Sequence, residues 1–217
     1  NNTALNNQGR ISSTGNLSGA LSSLTNGDSS NHSASVVAAK ALNLSTASSF
    51  TNEGALFGGE SLQVTVSSGH LTNSANGGMA GTGTVKLQAA NTFTNQGTVY
   101  AATGLTVDAT GTIVNEAGAD LSSDGALTLQ ANGNLSNHGA ITAKGNISLT
   151  AGQAFVNETR FNGVSISKRW VSNGSPNKTN RSTLSTEGSA YKGMFTWLDT
   201  YSNSEQEELS LIHISEP

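Results

Sequence analysis

Residues 127–151, LTLQANGNLSNHGAITAKGNISLTA, read as one full coil of a repeating structure. Leu127, Leu129 and Ala131 alternate with polar residues, and Leu135 and Asn137 follow. A second alternation runs through Ile141 and Ala143, and after Gly145 the first motif returns as Ile147, Leu149 and Ala151. Apolar residues two apart share one face of a strand, so each run predicts a short strand. Gly and Asn punctuate the runs where the chain must turn. Short strands that turn and return at a period near twenty residues are the pattern of a β-solenoid.

Working outward, the clearest marker of the repeat is an apolar residue, any residue, then Asn. It occurs as Leu5/Asn7, Leu24/Asn26, Phe50/Asn52, Leu71/Asn73, Phe93/Asn95, Ile113/Asn115, Leu135/Asn137 and Phe155/Asn157. From Asn52 the steps are 21, 22, 20, 22 and 20 residues, and the two before it are 19 and 26. A second patterned strand keeps phase with the first: Leu62-x-Val64-x-Val66, Val85-x-Leu87-x-Ala89, Leu105-x-Val107-x-Ala109 and Leu127-x-Leu129-x-Ala131. The fold expected is therefore all-β, a parallel β-helix of about 20–22-residue coils with a non-repeat C-terminal extension.

The string L-x-L-x-A-x-G-x-L-x-N-x-G-x-I-x-A-x-G, carried by residues 127–145, resembles the haemagglutinin repeats of the filamentous haemagglutinin family. Those are large bacterial exoproteins exported by two-partner secretion, and they include contact-dependent growth-inhibition effectors. The resemblance spans about residues 1–157. It implies a right-handed parallel β-helix on the outer surface of a Gram-negative cell. It also implies an outer-membrane secretion partner of the two-partner type, and a receptor or glycan on a host or neighbouring cell.

Composition agrees with a solenoid and excludes several classes. Only 11% of residues are charged and 5% aromatic, too few for an ordinary globular core but enough for coils that each bury a narrow strip. A net charge of −4 points away from nucleic acid. There is no cysteine, so disulfides and thiolate metal sites are out. No run approaches the ~20 apolar residues of a membrane span. The chain begins with Asn and shows no signal peptide, the expectation for an internal fragment of a longer protein.

Four regions follow. Residues 1–35 read as irregular N-terminal coils, with an irregular coil or inserted loop around GDSSNHS at 27–33. Residues 36–158 are the regular repeats, about six coils and roughly 30 Å of stacked strands. In residues 159–204 the period is lost, and six of the ten basic residues fall between Arg160 and Lys192. Both tryptophans, Trp170 and Trp197, lie there too. Val164, Ile166, Lys168 and Trp170 alternate like a strand before the turn NGSPN at 173–177, which suits a hairpin. Arg160, Lys168, Arg169, Trp170 and Trp197 form a candidate interaction surface, because exposed aromatics and Arg favour recognition. The competing reading is that they cap an unpaired solenoid end. Residues 205–217 are a tail whose string SLIHISEP resembles a translated sequencing adaptor, so part of it is expected to be an artefact.

The recurrent Asn52, Asn73, Asn95, Asn115, Asn137 and Asn157 are the candidate structural residues. An amide both donates and accepts, so stacked Asn side chains can bond from coil to coil. Asn also suits tight turns, and the sequence leaves inward and outward placement open. Gly54, Gly97, Gly118 and Gly139 suit a corner with positive φ.

Catalytic, metal and cofactor sites are not expected. Polysaccharide-cleaving β-helices need two carboxyl groups roughly 5–10 Å apart. Glu53 and Glu116 share a corner position but lie three coils apart, about 14 Å. Asp120 and Asp124 fall around a turn. His32, His70, His138 and His213 have no ligand spacing and read as surface polar residues. The expectation is a structural shaft of a surface exoprotein, an adhesin filament or a stalk for a toxin, without catalysis of its own. The alternative is a carbohydrate-active β-helix, a lyase or depolymerase.

Overall fold

The computed structural model describes residues 3–158 in full, and beyond them the backbone of Arg160–Phe161, Val164–Ser165, Ser167–Val171 and Arg181–Ser185. Chain contacts divide the protein into two units, residues 1–158 and 159–217.

The first unit is a parallel β-solenoid of about seven turns and about 21 residues per turn. Three strands make a coil. In the fifth they are Phe93–Asn95, Thr98–Ala101 and Gly104–Ala109. Equivalent strands of successive coils pair in parallel and build three sheets. Sheet A has eight strands, from Ala4–Asn7 to Phe155–Asn157. Sheet B has seven, from Arg10–Ser13 to Ala140–Ala143. Sheet C has seven, from Leu17–Leu21 to Ile147–Ala151.

Register follows the sequence pattern residue for residue. Phe50, Leu71, Phe93, Ile113 and Leu135 stand opposite one another along sheet A. Leu62, Val85, Leu105 and Leu127 do so along sheet C. Alternate side chains point inward, and a one-residue slip would turn each buried set out to water. These inward residues form one continuous core, with Met79, Val99 and Leu121 contributed by sheet B.

The early coils keep the same register despite their uneven lengths. Leu5 pairs with Leu24, and Leu24 with Phe50. The extra residues of the 26-residue step bulge between sheets A and B at 27–33. Asp28 and Asn31 close that bulge by an antiparallel bridge, and Gly27 turns there at φ 78°.

The corners explain the glycines, and mostly not through positive φ. Among the described residues only Gly27, Gly69 and Gly118 have it. Gly54, Gly97 and Gly139 are required by proximity instead. A Cβ on Gly54 would lie 2.1 Å from the Ala34 carbonyl oxygen, and one on Gly97 2.2 Å from that of Gly77. On Gly139 it would meet the Ala119 oxygen at 2.3 Å. In each case the obstacle is backbone of the preceding coil.

The second unit contains two antiparallel strand pairs. Arg160–Phe161 pairs with Val164–Ser165, and Ser167–Val171 with Arg181–Ser185.

Candidate functional site

The polar feature built by the whole solenoid is a column of asparagines at the corner after sheet A. In each coil the apolar residue of the marker points inward, so the residue two further on does too. Asn26, Asn52, Asn73, Asn95 and Asn115 are fully buried. A buried amide without partners would cost several kcal/mol, so its bonds must all be found inside the fold.

They are found along the column. The Nδ2 of Asn7 donates to Oδ1 of Asn26 (2.7 Å), and Asn26 to Asn52 (2.8 Å). Asn52 donates to Asn73 and Asn73 to Asn95, both at 2.9 Å. Asn95 donates to Asn115 (2.9 Å), Asn115 to Asn137 (2.8 Å) and Asn137 to Asn157 (2.8 Å). The amides also tie down the corner beside them. Asn52 donates to the Gly54 carbonyl at 2.8 Å, Asn73 to that of Gly77 at 3.0 Å, and Asn95 to that of Gly97 at 3.1 Å. The column thus links the coils in a direction perpendicular to the strands, alongside the backbone ladder.

The residues that follow the Asn line the same corner and range from buried Gly27 and Ser74, through half-buried Glu53, Glu116 and His138, to exposed Gln8 and Gln96. Glu53 accepts a hydrogen bond from Ser74 Oγ (2.8 Å) and lies 3.9 Å from Nδ1 of His32. The far nitrogen of His32 meets the Asn76 amide at 3.2 Å. The 27–33 bulge is thereby strapped along the corner, since Asn31 also donates to the Gln8 carbonyl at 2.7 Å. This strap was not visible in the sequence beyond the long 26-residue step. His138 differs from a surface histidine: its Nδ1 is buried without a hydrogen bond and lies 4.0 Å from Glu158. His70 is exposed, and His213 lies outside the described residues.

The other acids are engaged locally. Asp28 accepts from Ser30 Oγ at 2.6 Å and from the Ser30 and Asn31 amides, and these bonds hold its pKa below the ordinary value. Asp120 accepts from Ser122 Oγ (2.9 Å). Asp124 joins Lys144 (3.0 Å) and the Tyr100 hydroxyl (3.0 Å) across neighbouring coils. The Lys144 ammonium lowers the Asp124 pKa, while the carboxylate raises those of Lys144 and Tyr100. Glu53 and Glu116 stand on separate coils, those of Asn52 and Asn115, and are not brought together. Among the described residues no group of three or more His, Asp and Glu gathers to hold a metal ion. Among them too, no helix is long and apolar enough to cross a membrane.

Of the candidate interaction surface, Arg160 lies in the strand Arg160–Phe161, and Lys168, Arg169 and Trp170 in Ser167–Val171. Trp197 lies outside the described residues.

A family model described as the BigA fourth domain matches residues 33–207. The chain therefore belongs to the BigA fourth-domain family, a β-helical domain of bacterial surface proteins. No curated protein and no solved structure matches it.

Proposed function

We propose that this member of the BigA fourth-domain family is a rigid, non-catalytic shaft segment of a large exoprotein of the filamentous haemagglutinin type. In this reading it is exported by two-partner secretion through an outer-membrane partner. It then holds a distal adhesive region, or a toxin module, away from the cell. The receptor or glycan is met elsewhere in the parent protein, with the aromatic and basic 159–204 segment the nearest candidate surface.

The observation that carries the reading is the unbroken Asn column, from Asn7 to Asn157. Its amides are spent on joining one coil to the next, as a spacer requires. The carboxylates support it as well, since Asp28, Glu53, Asp120 and Asp124 are each bonded to a neighbour rather than facing a shared cleft. Strand pairing confined to neighbouring coils and the lack of cysteine suit a chain that crosses a membrane unfolded and folds coil by coil outside.

A spacer tolerates a change of length in whole coils. Excising residues 74–95 joins Asn73 to Gln96 and removes one 22-residue step. The expected product in the parent protein is folded, displayed on the surface and undiminished in adhesion or toxin delivery. A folded, displayed product that has lost a binding or cleavage activity would place a site in that coil and overturn the proposal.

A further inference from the structure

The Asn column is directional. In all seven steps the nitrogen belongs to the earlier coil and the accepting oxygen to the later one. Nearby backbone carbonyls fix this orientation. The nitrogen of Asn95 faces the carbonyl oxygens of Gly97 and Asp120, both at 3.1 Å, and only a donor is tolerated opposite an oxygen. The same holds for Asn52, which faces Gly54 and Gly78. At the start of the column, Oδ1 of Asn7 accepts from the Gly9 amide.

Part of this bonding crosses to the following coil on a second sheet. Asn7, Asn26, Asn52, Asn73, Asn95 and Asn115 reach the carbonyls of Ser35, Ala55, Gly78, Thr98, Asp120 and Ala140. Each of those residues opens a sheet B strand of the coil that follows. One side chain therefore specifies two points of the next coil, the Asn oxygen on sheet A and a backbone carbonyl on sheet B. It does so across steps that vary from 19 to 26 residues.

We infer that each Asn is a positioning residue for the coil C-terminal to it, so that register passes through the solenoid in one direction. The sequence between two markers is free to change length, because the earlier coil sets where the later one must land. The strap at 27–33 is such a change, accommodated between Asn26 and Asn52.

The test uses Asn→Asp substitutions in the full chain. A carboxylate keeps the shape and the acceptor but loses both donors. In Asn95→Asp the bond from Asn73 survives, while the bonds to Asn115, Gly97 and Asp120 become contacts between oxygens. Hydrogen exchange reads the two neighbouring interfaces separately. The Glu116 and Asp120 amides bond forward of the substitution, to Asn95 and Gly97 oxygens, and those of Gln96 and Thr98 bond backward, to Asn73 and Gly77. The forward pair is expected to exchange at least about tenfold faster and the backward pair to stay within about twofold. Asn52→Asp separates direction from block length, because more coils then follow the substitution than precede it. Ser74 and Gly78 are its forward amides, and Glu53 and Ala55 its backward ones.

Acid adds a readout that a merely space-filling role would not move. The partners of Asn95 are amides and backbone carbonyls, with no ionisable side chain among them. A protonated carboxyl regains one donor, so at about pH 4 the forward protection factors should recover. Equal loss on both sides, loss confined to the backward side, no loss at all, or loss indifferent to pH would overturn the inference. If neither variant folds at pH 7, the same amides are read as pH is raised from 4 towards the unfolding midpoint: loss of the forward pair first upholds the inference, and loss of both pairs together, or failure to fold at pH 4 as well, overturns it.

Discussion

The sixth and seventh coils are written in one pattern and meet different surroundings. In the sixth, Leu127 and Leu129 are 0% exposed. Their register partners in the seventh, Ile147 and Leu149, are 46% and 37% exposed. Phe155, opposite Leu135, is 51% exposed although Phe50 and Phe93, at the same repeat position, are 0%. The difference teaches where burial comes from. A coil this thin has no core of its own, and its inward residues are covered by the coils above and below. Stability resides in the interfaces between neighbours.

The sharpest way to break the comparison is at a corner. A Cβ on Gly83 would lie 1.8 Å from the Glu60 carbonyl oxygen of the coil before, whereas one on Gly78 meets nothing within 4 Å. Gly83→Ala should cost about 4 kcal/mol or more, among the largest single-residue effects. Gly78→Ala should be within about 1 kcal/mol of neutral. Urea unfolding of the two variants checks the gap, and equal midpoints would refute the steric account.

Next comes the core itself. Leu87, fully buried in the fourth coil, should lose about 2–5 kcal/mol on truncation to Ala. Leu149→Ala, in the half-exposed seventh coil, should lose about 1 kcal/mol or less. A Leu149 variant as damaging as the Leu87 one, in the same denaturant titration, would mean the last coil is supported in some way the comparison omits.

The Asn column should show the same gradient. Asn95→Ala strands the Asn115 oxygen and the carbonyls of Gly97 and Asp120, at about 3 kcal/mol. Asn157→Ala removes one acceptor at the exposed end and should cost about 1 kcal/mol. Thermal unfolding of both variants ranks them, and the reverse order would contradict the interface picture.

The smallest effect belongs to the exposed Tyr100–Asp124–Lys144 cluster. The Asp124 pKa is depressed, so its contribution is present above the ordinary carboxylate pKa and fades as pH falls through the lowered value. The Lys144 pKa is raised, so its contribution is present below the ordinary lysine pKa and fades as pH rises through the raised one. Asp124→Asn should flatten this shallow dependence, and added salt should do the same in the wild type. A stability–pH curve that does not respond to either change would remove the cluster from the account.

Much of the fold was legible because a solenoid repeats its instructions. The marker Leu135-x-Asn137 gave phase, and the alternation Leu127-x-Leu129-x-Ala131 gave the inward face. Whether the Asn faced in or out was not legible, because an amide is at home in either place. Its burial follows from parity: two residues after an inward Phe93, Asn95 must also point inward. The glycines were legible as corners but not for their reason. Gly54 and Gly97 are required by the oxygen of the preceding coil, a contact some twenty residues away in sequence that no local turn rule contains. The His32–Glu53–Asn76 strap was hidden for the same cause, since it joins residues of separate coils around an irregular insertion.

The central claim is that an inward, fully paired Asn column binds the coils into one shaft. The most direct test is side-chain amide exchange by NMR in the full chain. The Nδ2 hydrogens of Asn52, Asn73, Asn95 and Asn115 should exchange at least about 100-fold more slowly than those of the exposed Asn91 and Asn132. Exchange of the column amides at the rate of Asn91 would mean that they are not paired inside the solenoid, and the account would fail.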